Sequence, residues 1–150
     1  MTTHHEYRGY VFTITYQAQD PAYTVDFPDL PEDENECMVF GNPHLLHIAF
    51  KNIMENGCKY SPDKTVRVRL TLKGREAELI FSNKSDTISA EEISHLFEPF
   101  YRSSNAMGET GFGLGLTLTR RIIGLHKGTI QVRSEPPRGT LFTIMLPTLK

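Results

Sequence analysis

Residues 51–60 read KNIMENGCKY, and the polar members Asn52, Asn56, Lys59 and Tyr60 close what should be a helix. Residues three and four apart are neighbours on a helix surface, so Asn52, Asn56 and Lys59 fall within about one third of the circumference and can touch one ligand. An amide oxygen is a hard, neutral ligand for magnesium, which keeps several waters and binds through few protein groups plus the phosphates of its nucleotide. Asn56 could supply that contact, and Lys59 a compact positive charge for a phosphate. A lone helical asparagine is equally well explained by bonding to its own backbone, and Tyr60 by packing with its hydroxyl at the rim.

A second stretch, GFGLGL, sets Gly111, Gly113 and Gly115 at the mouth of a helix. Glycines there let backbone N–H groups approach an anion, and a helix start carries roughly half a positive charge, so phosphate is the natural guest. The spacing is neither G-x-G-x-x-G nor the G-K-[ST] of a P-loop, and a tightly packed turn accounts for the glycines as readily.

The elements that must position these groups follow from periodicity. Asn42 caps a helix with Pro43 at its first position, and Leu46, Ala49, Phe50, Ile53 and Met54 give it a buried stripe ending near Gly57. VFTITY (11–16) and AYTVDF (22–27) spell a first hairpin around QAQDP, followed by an acidic, proline-rich loop and a short strand, MVF, at 38–40. TVRVRLTL (65–72) and EAELIFS (76–82) alternate, matching Val66, Val68, Leu70 and Leu72 against Ala77, Leu79 and Phe81 across KGR. Ser89 and Glu92 form a capping box that opens a short helix through Ile93, Leu96 and Phe97. Residues 102–110 lack a buried stripe and read as a mobile, lid-like loop. The next helix takes Leu114, Leu118, Ile122 and Leu125 as its stripe and closes at Lys127 and Gly128; TIQVRS and TLFTIMLP form a last hairpin. The pattern predicts an α+β, two-layer sandwich: a mixed, mostly antiparallel sheet of about five strands with three main helices on one face.

At 150 residues the chain is the size of one domain, and 39% hydrophobic residues, 23% charged and a net charge of -2 give no electrostatic bias toward nucleic acid or an anionic membrane. Cys37 and Cys58 are too few for a disulfide framework, which favours a reducing compartment. No apolar run nears the roughly 18 residues of a membrane span, and the polar start lacks a signal-peptide core, so a cytoplasmic domain is expected. Residues 1–10 read as a frayed terminus, and His4 and His5 are assigned no role.

In this order, NIMENGCKYSP, LFEPFYR, GFGLGL and GTLFTIMLP resemble the motifs of the ATP-binding catalytic domain of sensor histidine kinases, relatives of the gyrase-like, Bergerat-fold ATPases, over approximately residues 37–147. The resemblance implies ATP and Mg2+ as cofactors, with Asn56 on the metal, Asn52 and Lys59 on the phosphates and Tyr60 lining the nucleotide site. It implies Phe97 and Phe100 packed at the base of a lid spanning 102–112, and Arg102 directed at the phosphates. Gly111, Gly113 and Gly115, with Leu114 between them, would close over the nucleotide. Thr140 would help order the adenine, Ile88 would be a further contact, and Glu55 could act as a base toward the phosphate acceptor. That acceptor would be a histidine on a separate dimerisation domain of the same parent kinase, with a response regulator served indirectly and the parent commonly membrane-anchored. His44, His47, His95 and His126 lack the acceptor's H-E-x-R context, and His126 reads as a helix-end cation or a partly buried residue.

One motif departs from the pattern. Where the family carries D-x-G-x-G this chain reads SNKSDTIS, placing Asn83 at the aspartate position and Ser85 and Thr87 at the glycines. Asn83 can still accept from an adenine amine through its carbonyl but gives up the roughly twofold stronger charge-assisted bond, so weaker nucleotide affinity is expected. Two other readings remain: a gyrase-like hydrolase, although the residue four before Asn56 is Asn52 and not a carboxylate, and a non-catalytic interaction module, for which SNKSDTIS is the motive.

Overall fold

The computed structural model describes residues 2–3, 16–17, 22–26, 38–63, 65–101, 115–137 and 139–149. In chain order the elements are β1 (Thr2–Thr3), β2 (Tyr16–Gln17), β3 (Ala22–Asp26), α1 (Pro43–Tyr60), β4 (Thr65–Lys73), β5 (Glu76–Asn83), α2 (Ala90–His95), α3 (Gly115–Leu125), β6 (Thr129–Glu135) and β7 (Gly139–Pro147). Strands β3 to β7 form one five-stranded sheet of order β3-β4-β5-β7-β6, parallel only at the β3–β4 pair.

Alternation along the central strands makes one face of that sheet apolar. Val68 lies opposite Phe81, Leu70 opposite Leu79 and Leu72 opposite Ala77, as the sequence predicts. Phe81, Leu79 and Ala77 in turn lie opposite Phe142, Ile144 and Leu146 of β7. The two-residue turn at Gly74 and Arg75 needs the left-handed backbone that Gly74 adopts at φ +62°. Helices α1 and α3 complete a single core: the α1 stripe of Leu46, Ala49, Phe50, Ile53 and Met54 is buried, and the Phe50 and Phe81 rings stack 5.8 Å apart between centroids.

Several expectations are corrected. β3 lies parallel to β4, with Val25 opposite Val68, and Tyr16–Gln17 pairs with β1; residues 11–15, which make up most of the first strand of the expected hairpin, lie outside the described residues. Met38–Phe40 is not a strand, although Val39 is buried and the Met38 carbonyl accepts from the Leu149 N–H at 2.8 Å. Helix α1 runs past Gly57 to Tyr60, because Gly57 serves close packing: a Cβ there would lie 2.6 Å from Val66 Cγ2 and 3.3 Å from Asn83 Oδ1. The capping box at Ser89 and Glu92 is present, but α2 stops at His95.

The buried face of α3 is turned by about one residue from the expected stripe. Ile122 is buried as expected, but Leu118 and Leu125 are 46% and 74% exposed, and Thr119, Ile123 and His126 face inward. A threonine can take a core position here because its hydroxyl bonds the Gly115 carbonyl at 2.9 Å and reaches the Ala49 carbonyl at 3.4 Å. At the end of α3, Lys127 adopts the left-handed conformation (φ +58°) usually left to glycine. Gly128 is needed for its lack of a side chain: a Cβ would meet Met145 O at 2.5 Å.

Of the two readings for His126, the buried one holds. Its Nε2 accepts from the Asn42 N–H at 2.9 Å and its Nδ1 lies 2.7 Å from the Ile122 carbonyl. A carbonyl only accepts and an N–H only donates, so Nδ1 carries the proton and the ring ties the end of α3 to the start of α1. Gly41 lies against this ring, where a Cβ would come within 2.2 Å of His126 Cδ2. Gly41→Ala is expected to cost about 1–3 kcal/mol, the usual penalty for overpacking, measured by denaturant unfolding. His126→Ala made together with it should recover part of that loss, since the two share one contact.

Candidate functional site

Two groups of polar side chains stand at the edge of the core. The first lies on α1. Asn52 and Asn56 are half-buried and Lys59 is exposed, as expected of residues on one flank of the apolar stripe. Asn52 Nδ2 donates to the Gly115 carbonyl at 3.4 Å, so this flank borders the first turn of α3. The opening of α3, where an anion is favoured, thus sits beside Asn52. Glu55 leans toward Lys51 at 3.7 Å, with 46% of its side chain exposed. Lys59 lies in the last turn of α1, where a cation also complements the helix dipole, and Tyr60 is half-buried beside it.

The second group is the last rung of the apolar ladder. Asn83 of β5 lies directly opposite Thr140 of β7, and the two are 7% and 4% exposed. This rung is polar where those before it are Phe81–Phe142 and Leu79–Ile144. Asn83 Nδ2 donates to the Lys84 carbonyl at 3.2 Å, which leaves Oδ1 as the group facing Gly57. Beyond the rung, the Ser85 and Thr140 hydroxyls are 2.6 Å apart, and the Ile88 N–H donates to Ser134 Oγ at 2.8 Å. The segment that departs from D-x-G-x-G is therefore bonded to β6 and β7 at two points. Thr87 is exposed.

Of the residues singled out in the sequence, Asn52 and Gly115 meet directly, Asn83 and Thr140 pair across strands, Ile88 is bonded to Ser134 of β6, and Asn56, Lys59 and Tyr60 follow Asn52 along α1. Arg102, Gly111, Gly113 and Leu114 lie outside the described residues. Phe97 packs against the core, its carbonyl accepts from Thr117 Oγ1 at 2.9 Å, and the Arg120 guanidinium lies 5.5 Å over its ring. Phe100, expected to pack with it, is instead 71% exposed, with a left-handed φ of 66°. Gly57, Ser134 and Gly139 were not foreseen as parts of the site. Glycine one residue after the second amide was the available signal for the first.

At the end of α1, Asp63 forms a small acceptor hub. Ser61 Oγ donates to its Oδ1, which also accepts from Thr65 Oγ1 at 2.7 Å and the Thr65 N–H at 3.2 Å. These bonds, Ser61 foremost, hold its carboxyl down at about 2. A group depressed in the folded state stabilises above its unfolded value and loses that effect as pH falls through its folded value. The gap in melting temperature between the protein and Asp63→Asn should therefore be constant above roughly pH 4.5 and close between about 4 and 2.

Among the described residues, no group of three or more His, Cys, Asp or Glu side chains could hold a metal by itself. A magnesium ion that arrives with its nucleotide needs no such group. The amide side chains of α1, the opening of α3 beside Asn52 and the polar rung facing Gly57 fit an Mg-nucleotide in chemical type. Among the described residues, no helix is long and apolar enough to cross a membrane.

Comparison with known proteins gives the class. Residues 41–150 match the sequence model of the histidine kinase-, DNA gyrase B-, and HSP90-like ATPases, and the chain belongs to this family. It is 37% identical over 117 residues to the sensor histidine kinase CusS of Escherichia coli K12, covering 75% of this chain and 24% of that protein. It is 33% identical over 143 residues to the adaptive-response sensory kinase SasA of Microcystis aeruginosa, covering 93% of this chain and 35% of that one. The chain thus spans about a quarter to a third of the length of these relatives. Among solved structures it resembles the mycobacterial sensor histidine kinase MprB, with a TM-score of 0.72 and 30% identity over 83% of this chain and 82% of that one. The fold is that of histidine kinase ATPase domains, and the family supports a kinase catalytic role.

Proposed function

We propose that this domain binds Mg-ATP and donates the γ-phosphoryl group to a histidine on a separate dimerisation domain of the same parent kinase. The observation that carries the proposal is the bond from Asn52 to Gly115 at the opening of α3, made by the same helix whose Gly57 packs against Asn83 of the buried Asn83–Thr140 rung. Asn83 Oδ1 would accept from the adenine amine, Asn56 would hold the metal and Asn52 and Lys59 would steady the phosphates. Arg102, Gly111, Gly113 and Leu114 would cover them. A metal held by Asn56 would supply positive charge for the phosphates, and the protein's work would be positioning. The bond between the γ-phosphorus and the bridging oxygen breaks with its electron pair leaving on ADP, and a bond to the acceptor imidazole nitrogen forms. The imidazole proton passes to a base, for which Glu55 is the candidate once its pairing with Lys51 is given up.

The bond between Ser85 and Thr140 favours a second reading, an interaction module with weakened nucleotide binding. Titration with a fluorescent ATP analogue, with and without magnesium, separates the two. Saturable, magnesium-strengthened binding supports the kinase domain. Absence of binding at millimolar nucleotide supports the module, and rapid release of free phosphate would point to a hydrolase.

A further inference from the structure

We propose that Ser85 limits nucleotide affinity by holding the Thr140 hydroxyl proton, so that this side chain competes with the adenine ring for its own pocket. The inference rests on the nucleotide reading above.

The argument is a count of protons. A serine hydroxyl has one proton and two lone pairs. Ser85 Oγ makes two bonds, to the Asp86 carbonyl at 3.1 Å and to Thr140 Oγ1 at 2.6 Å. The Asp86 carbonyl can only accept, so the Ser85 proton goes there. Both bonds then stand together only if Thr140 donates to Ser85. Thr140 is left with lone pairs, and its neighbour across the strands, Asn83, turns Oδ1 toward Gly57 while its NH2 gives one of its two protons to the Lys84 carbonyl. In the buried rung, Thr140 Oγ1 and Asn83 Oδ1 therefore form a surface with two neighbouring acceptors.

Adenine suits only half of such a surface. Its exocyclic amine can donate to Asn83, but on either side of that amine stands a ring nitrogen, N1 or N7, that can only accept. Whichever of these edges comes to Thr140, two acceptors meet unless the Thr140 proton leaves Ser85 or a water is recruited between them. The backbones set the two hydroxyls side by side. Gly139, at the start of β7, lies so close to the loop that a Cβ would come within 2.2 Å of Asn83 O and 2.8 Å of Ser85 N, so loop and strand are held together around the hydroxyl pair.

Ser85→Ala keeps the Cβ and frees the Thr140 proton. The magnesium complexes of ATP, 1-deaza-ATP and 7-deaza-ATP would be titrated against the protein and Ser85→Ala, with melting of both chains recorded. The expected result is a gain in ATP affinity of about 2–10-fold, the worth of one hydrogen bond, that disappears for one of the two deaza analogues because its ring offers no acceptor to the freed proton. An equal gain for all three nucleotides, or no gain, overturns the inference while leaving ATP binding in place. Failure of both chains to bind any of the three at millimolar concentration overturns the nucleotide reading and this inference together.

Discussion

Gly139→Ala is expected to destabilise the domain by about 3 kcal/mol or more, lowering its melting temperature by roughly 6–12 °C. Two costs combine. Gly139 has φ +100°, a conformation L-residues adopt only at a cost of about 1–3 kcal/mol. Its added Cβ would also lie 2.2 Å from Asn83 O, 2.8 Å from Lys84 Cα and 2.8 Å from Ser85 N. All three atoms are backbone, so no side chain can swing aside, and either β7 or the loop after β5 must move. Gly74→Ala is the control: its φ is +62° but nothing lies within 4 Å, so it should show only the left-handed backbone cost of about 1–2 kcal/mol. Calorimetric melting of the two variants side by side is the measurement. Equal losses would mean that the contact with the Asn83–Ser85 backbone contributes nothing. Because that contact fixes the loop carrying Asn83 and Ser85, the surviving folded fraction of Gly139→Ala should also bind adenine nucleotides more weakly than Gly74→Ala does.

The parts of this fold that local pattern governs were legible, and those that depend on distant partners were not. Period-two alternation in 65–72 and 76–82 specifies both strands and their register, because a slip of one residue would turn Val68, Leu70 and Leu79 outward. The α1 stripe is likewise a property of the chain itself. The parallel pairing of β3 with β4 has no local signal: the segments are separated by all of α1, and alternation in 22–27 serves a hairpin equally well. In α3, leucines at 118 and 125 outrank a threonine by hydrophobicity, and only the partners of the Thr119 hydroxyl, one of them on α1, make its burial tolerable. The site divides in the same way. Asn52 and Asn56 stood out through spacing and chemistry. The bond from Ser85 to Thr140 joins residues 55 apart, both of types common in surface turns, and becomes visible only when β5 and β7 are laid side by side.

The largest functional effect should come from Asn56→Ala. Asn56 is half-buried on α1, on the same flank as Asn52. Alanine is the better helix former, by up to about 0.7 kcal/mol, so the nucleotide-free variant should melt within a few degrees of the parent and as readily above it as below. Nucleotide binding should respond quite differently. If Asn56 holds the metal, magnesium-dependent affinity should fall by at least the roughly 10–100-fold that loss of even an outer partner of a bound metal costs, and titrations with magnesium and with a chelator should superimpose. Asn52→Ala separates this role from general damage to the α1 flank. It removes the bond to the Gly115 carbonyl, worth about 1 kcal/mol or less at 3.4 Å, and should weaken binding in magnesium and in chelator alike. A large melting loss for Asn56→Ala, or a magnesium response that survives it, would assign the amide to structure and move the metal contact elsewhere on the site.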